Sequence, residues 1–177
     1  YFTDTLSRGG KGAFVNPNIG LLWSGFRPSD DACVYGYLVP ANMFACVVLG
    51  YMAEIAQEIF KDIHTANKAV AMQKQIRLSV EKNAVVNHEK FGKVYAYEVD
   101  GFGQYNMMDD ANVPSLLSIP FLGYASINDN LYQNTRRMIL SEANPYFYKG
   151  SVAAGIGSPH TPINHVWPVS LAMQGLT

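Results

Sequence analysis

Three segments of the chain concentrate hydrogen-bonding side chains among aromatic rings: Trp23-Ser-Gly-Phe-Arg-Pro-Ser-Asp-Asp-Ala, Gly101-Phe-Gly-Gln-Tyr-Asn-Met-Met-Asp-Asp-Ala-Asn and Gly155-Ile-Gly-Ser-Pro-His-Thr-Pro. Rings such as Trp23 and Tyr105 can stack on the apolar face of a sugar. Arg27, Asp30, Asp31, Asn112 and His160 can hold hydroxyl groups by charge-assisted or bidentate hydrogen bonds. Asp109 and Asp110 are the kind of groups that general acid–base chemistry needs. Hydrolysis of a glycosidic bond with inversion uses two carboxyl groups roughly 6.5–9.5 Å apart, one protonating the leaving oxygen and one activating water. Adjacent side chains point in different directions, so Asp109 and Asp110 are not expected to be that pair. One should enter a cleft, the other should support its loop, and the partner carboxylate should come from elsewhere.

The same residues admit structural readings. The Asp-Asp-Ala runs at 30–32 and 109–111 could be N-caps of following helices, their carboxylates satisfying free backbone N–H groups. Arg27 could clamp Asp30 or Asp31 in a structural pair, and His160, flanked by Pro159 and Pro162, could lock its loop as well as meet a ligand. His64, His88 and His165 are expected at the surface or in packing. No His or Cys spacing suits a metal, and Cys33 and Cys46 read as small buried hydrophobes. Gly101-x-Gly103 and Gly155-x-Gly157 lack the third glycine of a dinucleotide fingerprint, so no cofactor is expected. Met107 and Met108 read as core.

Those loops must be positioned by something, and the patterning predicts mainly helices. Residues 40–63 place Phe44, Val48, Tyr51, Ile55 and Ile59 on one face, and residues 66–83 do the same with Ala66, Ala69, Val70, Ile76 and Val80. Residues 93–99 are β-branched and aromatic, which predicts one short strand ended by Gly101 and Gly103. Pro114 suits the start of an apolar helix over 115–124. Asn128, with Asp129 in the first turn, suits the start of a helix to Ser141, and Asn164 the start of a last one. The class expected is all-α with long loops and at most a short β-hairpin.

Charge sets further bounds. Lys and Arg number 13 against 14 Asp and Glu, without a basic run, so no nucleic-acid partner is expected. The apolar run 39–51 is too short for a bilayer span and is followed by Glu54 and Glu58, so no membrane partner is expected either. Charged residues make up only 15% of the chain, well below the roughly 25% of an ordinary domain, which suggests that more chain covers part of its surface. The start at Tyr1 and the apolar end near Thr177 add to the expectation of an interior portion of a longer polypeptide.

The strings WSGFRPSDDACVYGYLVPANMF, VDGFGQYNMMDDANVPSLLSIPFLGY and NPYFYKGSVAAGIGSPHTPINHVWP resemble glycoside hydrolase family 125, the exo-acting α-1,6-mannosidases. The resemblance covers nearly the whole chain from Gly20 onward. It implies an (α/α)6 barrel, here incomplete, with residues 1–177 part of one catalytic domain whose C-terminal portion is missing. It also implies release of terminal mannose from α-1,6-linked mannosides, inversion at the anomeric carbon and no metal. Carried over to this sequence, the general acid is Asp109 or Asp110, with Asp110 favoured. Arg27, Asp30, Asp31 and His160 become mannose contacts, with Trp23, Tyr105 and Asn112 beside them. The family's general base is a Glu; after Asp110 the only glutamate here is Glu142, read as mid-helix, so the base is expected beyond Thr177 and residues 1–177 alone are expected to be inactive. The first loop is more similar to bacterial than fungal members, which favours a bacterial cytoplasm or periplasm. The alternatives are an inactive carbohydrate-binding protein of the same fold and an unrelated helical domain whose acids are all caps. Oligomeric state is left open.

Overall fold

Two long helices form the frame of the molecule, which a computed structural model describes over residues 5–177. A single left-handed turn comes first, α1 (Ser7–Gly10), with Arg8 and Gly9 at positive φ. The four residues before Thr5, part of the expected N-terminal loop, lie outside the described residues. β1 (Tyr37–Leu38) leads directly into α2 (Val39–Glu58), whose second residue is Pro40, a position where the missing N–H costs nothing. α3 (Ile63–Asn83) starts three residues earlier than the sequence pattern predicts, because Asp62 is its N-cap and accepts from the Thr65 N–H at 3.0 Å.

The two helices pack together through small residues. Cys46, Ala53 and Ala56 of α2 and Ala66 and Ala69 of α3 are buried. At Gly50 a Cβ would sit 2.6 Å from Gln73 Nε2, which shows how closely the helices approach. This reverses the expected face of α2. Phe44, Tyr51, Ile55 and Ile59 are exposed, with Val48 half-buried, while Met43, Cys46 and Val47 are buried. The helix is apolar almost all round, so hydrophobic periodicity alone does not select its inner face; close packing with α3 selects the small side chains. By length and composition α2 could cross a bilayer, with a mean hydropathy of 1.5, but its buried stripe packs as a core helix does.

Short strands join these helices to the loops: β2 (Val85–His88), β3 (Gly92–Tyr95), β4 (Glu98–Val99) and β5 (Tyr105–Asn106), followed by α4 (Asn130–Ile139), β6 (Phe147–Lys149), β7 (Ala154–Ile156) and α5 (Pro168–Leu176). β2 and β3 form one antiparallel hairpin and β6 and β7 another, and β4 lies between β1 and β5 in a three-stranded sheet. The expectation of at most one hairpin is therefore corrected to three small sheets. The single strand expected over 93–99 is broken at Ala96 and Tyr97, where the chain leaves β2 and crosses to β1. There the Ala96 N–H donates to Ala84 O, and Tyr97 O accepts from Val39 N–H.

Residues 115–124 form successive turns instead of the predicted helix. Pro120 has no N–H to donate, Gly123 is at φ 86°, and hydrogen bonds such as Ser118 N–H to Ser115 O close four-residue turns. α4 is capped by Asp129 rather than Asn128, through the Tyr132 N–H at 2.9 Å, and it ends at Ile139. Glu142 consequently lies outside the helix, exposed and paired with Lys149 at 3.3 Å. α5 begins at Pro168, four residues after Asn164.

Candidate active site

The 27–31 turn is tight: the Arg27 N–H donates to Asp31 O at 2.8 Å and the Asp30 N–H to Arg27 O at 3.0 Å, with Asp30 at φ 68°. The left-handed residue turns the two neighbouring acids apart. Asp30 is exposed and Asp31 is buried. No helix follows them directly, so neither is the N-cap that spacing allowed.

Arg27 pairs with neither of these acids. Its Nε donates to Glu98 Oε1 at 2.6 Å, and both side chains are almost fully buried. The other carboxylate oxygen of Glu98 accepts from the Val34 and Tyr35 N–H groups at 3.0 and 3.2 Å. Burial works against the Arg27 charge, but the Glu98 hydrogen bond and charge outweigh it and raise the guanidinium above its ordinary value. The guanidinium also lies 5.6 Å from the centre of the Tyr97 ring. Glu98 is the functional-region residue that sequence reasoning missed. Its signal was a single acid inside the otherwise apolar and aromatic run 94–99. Cys33 lies in the same cluster, where burial pushes its thiol up to about 12, the behaviour of an inert buried cysteine.

Asp109 and Asp110 diverge as adjacency requires. Asp109 is fully buried, and its two oxygens accept from the Leu116 and Leu117 N–H groups at 2.8 and 2.9 Å. It therefore caps the 115–119 turns across the intervening loop, a structural use close to the cap reading. Burial, opposed by those two N–H groups, pushes its carboxyl up to about 8. Asp110 points the other way. Its Oδ2 lies 2.6 Å from Ser29 Oγ, and its buried Oδ1 has no hydrogen-bond partner. Burial raises it above the ordinary carboxylate range, against the hydroxyls of Ser29 and Ser158 and the charge of Arg27.

Asp31 completes the cluster. Its Oδ2 is 2.9 Å from the same Ser29 Oγ, and its Oδ1 is 3.7 Å from His160 Nδ1. The structure thus brings Asp31, Asp110 and His160 together from three loops, with Ser29 and Ser158 as hydroxyl partners that sequence reasoning did not single out.

The loops are braced to one another. Asn112 donates from Nδ2 to Pro28 O at 3.2 Å, and Ala111 N–H donates to Gly157 O at 3.1 Å. The buried Asn144 side chain joins Asp109 to the end of α4. Gly157 has no room for a side chain, since a Cβ there would lie 2.3 Å from the His165 carbonyl oxygen. Gly157→Ala is expected to cost about 1–3 kcal/mol of stability, read as a lower thermal midpoint, because a backbone atom must move to admit the methyl group.

Trp23 and Tyr105 lie elsewhere. The half-exposed Trp23 ring fills a niche against Gly12, Gly25 and Gly36. Tyr105, on β5, lines a surface hollow with Lys82, Asn83 and Val86 that includes none of the clustered acids. His64 and His165 are exposed, and His88 stacks edge-on against Phe91. Met108 is core, with Met107 packed partly against it. Among the described residues, no group of three or more His, Cys, Asp or Glu side chains could hold a metal ion.

A family model described as metal-independent α-mannosidase (GH125) matches residues 1–177. The chain is 50% identical, over 99% of its length, to the Meiotically up-regulated gene 157 protein of Schizosaccharomyces pombe, of which it covers 34%. It superposes with a TM-score of 0.95, at 47% identity, on a Streptococcus pneumoniae protein of the metal-independent α-mannosidases solved in a non-productive complex with α-1,6-mannobiose. That match covers 99% of this chain and 42% of the other. The chain thus spans between a third and a half of the length of these relatives. With the buried acids and their loops in place, the match over every residue leads to one assignment: the chain belongs to glycoside hydrolase family 125, the metal-independent α-mannosidases.

Proposed function

We propose that the protein of which these residues form part is an inverting exo-α-1,6-mannosidase, and that Asp110 is its general acid. The observation that carries this reading is the contrast between the two neighbouring acids. Asp109 has both oxygens committed to backbone N–H groups, whereas Asp110 keeps a buried oxygen without a protein partner. Burial favours the protonated form of Asp110, the form that can donate to a leaving oxygen. Asp31, His160 and Arg27 surround that carboxyl as candidate sugar contacts. A Glu acting as base on a water across the sugar, supplied by another part of the protein, would complete the inverting pair.

The same reading gives the exposed apolar face of α2 a role. Phe44, Tyr51, Ile55 and Ile59 would be covered by further helices of an (α/α)6 barrel, since a helix apolar on both sides is stable only when both are packed. The longer relatives have the chain length to supply them.

The test is an α-1,6-mannobiose digest by the complete protein, followed by NMR from the first minutes. β-Mannose should appear first and mutarotate to the mixture. α-Mannose first would overturn inversion, and mannose binding without any product would favour a non-catalytic carbohydrate-binding protein.

A further inference from the structure

The Ser29 hydroxyl has one hydrogen and two carboxyl neighbours. Its Oγ lies 2.6 Å from Asp110 Oδ2 and 2.9 Å from Asp31 Oδ2, and all three residues are buried. One hydroxyl hydrogen serves one carboxylate. With both carboxyl groups ionised, one of the two short contacts would set bare oxygen against bare oxygen inside the protein. A second hydrogen on one carboxyl removes that conflict, because the hydroxyl then accepts from one acid and donates to the other.

We propose that Ser29 and Asp31 are positioning residues that keep the reactive proton on Asp110: Asp110 donates from Oδ2 to Ser29 Oγ, and Ser29 donates onward to Asp31. The proposal rests on Asp110 being the general acid. Asp31 is the member of the pair that lies beside an imidazole, with His160 Nδ1 3.7 Å from its Oδ1, which assigns it the anionic role, although Asp31 Oδ1 and Asp110 Oδ1 both lack a hydrogen-bond partner. The charged Asp31 then disfavours a second charge on Asp110 across the bridge. The other groups that face Asp110 are Arg27, whose charge favours its ionisation, Asp109, Tyr97 and Tyr146.

In the reaction, a half-turn of the Asp110 carboxyl about Cβ–Cγ presents its hydrogen on the side without a protein partner. That O–H bond breaks as the hydrogen joins the glycosidic oxygen, which also takes the electron pair of the breaking bond to the anomeric carbon. Asp110 is left anionic. The anomeric carbon takes its new bond from the oxygen of the attacking water, whose proton passes to the base and then through solvent back to Asp110, so two anions share the one Ser29 hydrogen only until that proton returns.

The experiment compares two substrates of the complete protein: α-1,6-mannobiose, whose leaving alkoxide needs a proton, and α-mannosyl fluoride, whose leaving fluoride does not. Ser29→Ala is expected to lower kcat on mannobiose about 10–100-fold, with KM within about threefold, and to leave turnover of the fluoride within about threefold. Ser29→Thr, which restores the hydroxyl, should recover most of the loss. Asp31→Asn should move the basic limb of the kcat profile on mannobiose down by about one pH unit, since removing a like charge makes Asp110 ionise more readily. Unchanged kcat in Ser29→Ala, or equal loss on both substrates in a variant with an unaltered melting temperature, would overturn the bridge. Should Ser29→Ala fail to fold, the Ser29→Thr and Asp31→Asn profiles decide. Asp110→Asn is the control: equal loss on both substrates there would sink the acid assignment itself, whereas a spared fluoride rate there but not in Ser29→Ala would sink only the bridge.

Discussion

Asp110→Asn in the complete protein is expected to lower kcat on α-1,6-mannobiose about 10³-fold, or roughly 4 kcal/mol of barrier, with little change in thermal midpoint. The amide keeps the volume of the acid and can still donate to Ser29 from its NH2, but it has no acidic proton to give to a leaving alkoxide. Asp109→Asn should behave in the opposite way. Both oxygens of Asp109 accept from backbone N–H groups, and an amide would turn an NH2 towards one of them. One buried N–H, of Leu116 or Leu117, then loses its acceptor, a cost of about 1–3 kcal/mol that appears as a lower midpoint and only a secondary loss of turnover. Parallel melting and kinetic measurements on the two variants separate the roles. Full activity in both would defeat the assignment of either residue as acid. The basic limb of the unmodified protein carries the same information. Activity that needs protonated Asp110 is lost as pH rises through its pKa, and burial places that limb above the ordinary carboxylate range.

The second large effect is on stability. Glu98→Ala would strand the buried Arg27 guanidinium without an anion and leave the Val34 and Tyr35 N–H groups without acceptors. A loss of about 3–5 kcal/mol is expected, read as a lower urea midpoint at constant slope. Arg27→Met combined with Glu98→Gln should cost less than Glu98→Ala alone, because it removes both charges while keeping an acceptor for the two N–H groups. A loss under about 1 kcal/mol in Glu98→Ala would show that solvent reaches the pair.

The three loops that meet at the buried acids were legible because their composition is unusual: acids, an arginine and a histidine among glycines and aromatics have few reasons to cluster in a connection. α3 was legible from periodicity and α4 from the capping residues at its start, although the caps themselves, Asp62 and Asp129, lie up to a few residues from where the pattern placed the helix starts. What pattern could not supply was pairing across the chain. Arg27 has acids three and four residues away, yet its partner is 71 residues distant, because the 27–31 turn points those acids elsewhere and β4 carries Glu98 inward. The inner face of α2 was misread for a related reason. An apolar residue count favours the side with Phe44 and Tyr51, whereas contact distance to α3 favours the side with Cys46, Gly50 and Ala53. At 115–124, a run rich in apolar residues looked helical, but Pro120 and the carboxylate of Asp109 dictate turns. Trp23 and Tyr105 resemble their neighbours in composition, and only the fold separates them from the acid cluster.

The clamp of Asp109 on Leu116 and Leu117 also bears on how the molecule breathes. These two amides belong to no helix or strand, yet they are buried and each is held by a carboxylate oxygen. Deuterium can reach them only when the loop that carries Asp110 lifts away from its neighbours. Their exchange therefore times the opening of the loop that carries Asp109 and Asp110, and two slow amides in an irregular segment become a built-in reporter of whether Asp109 is seated.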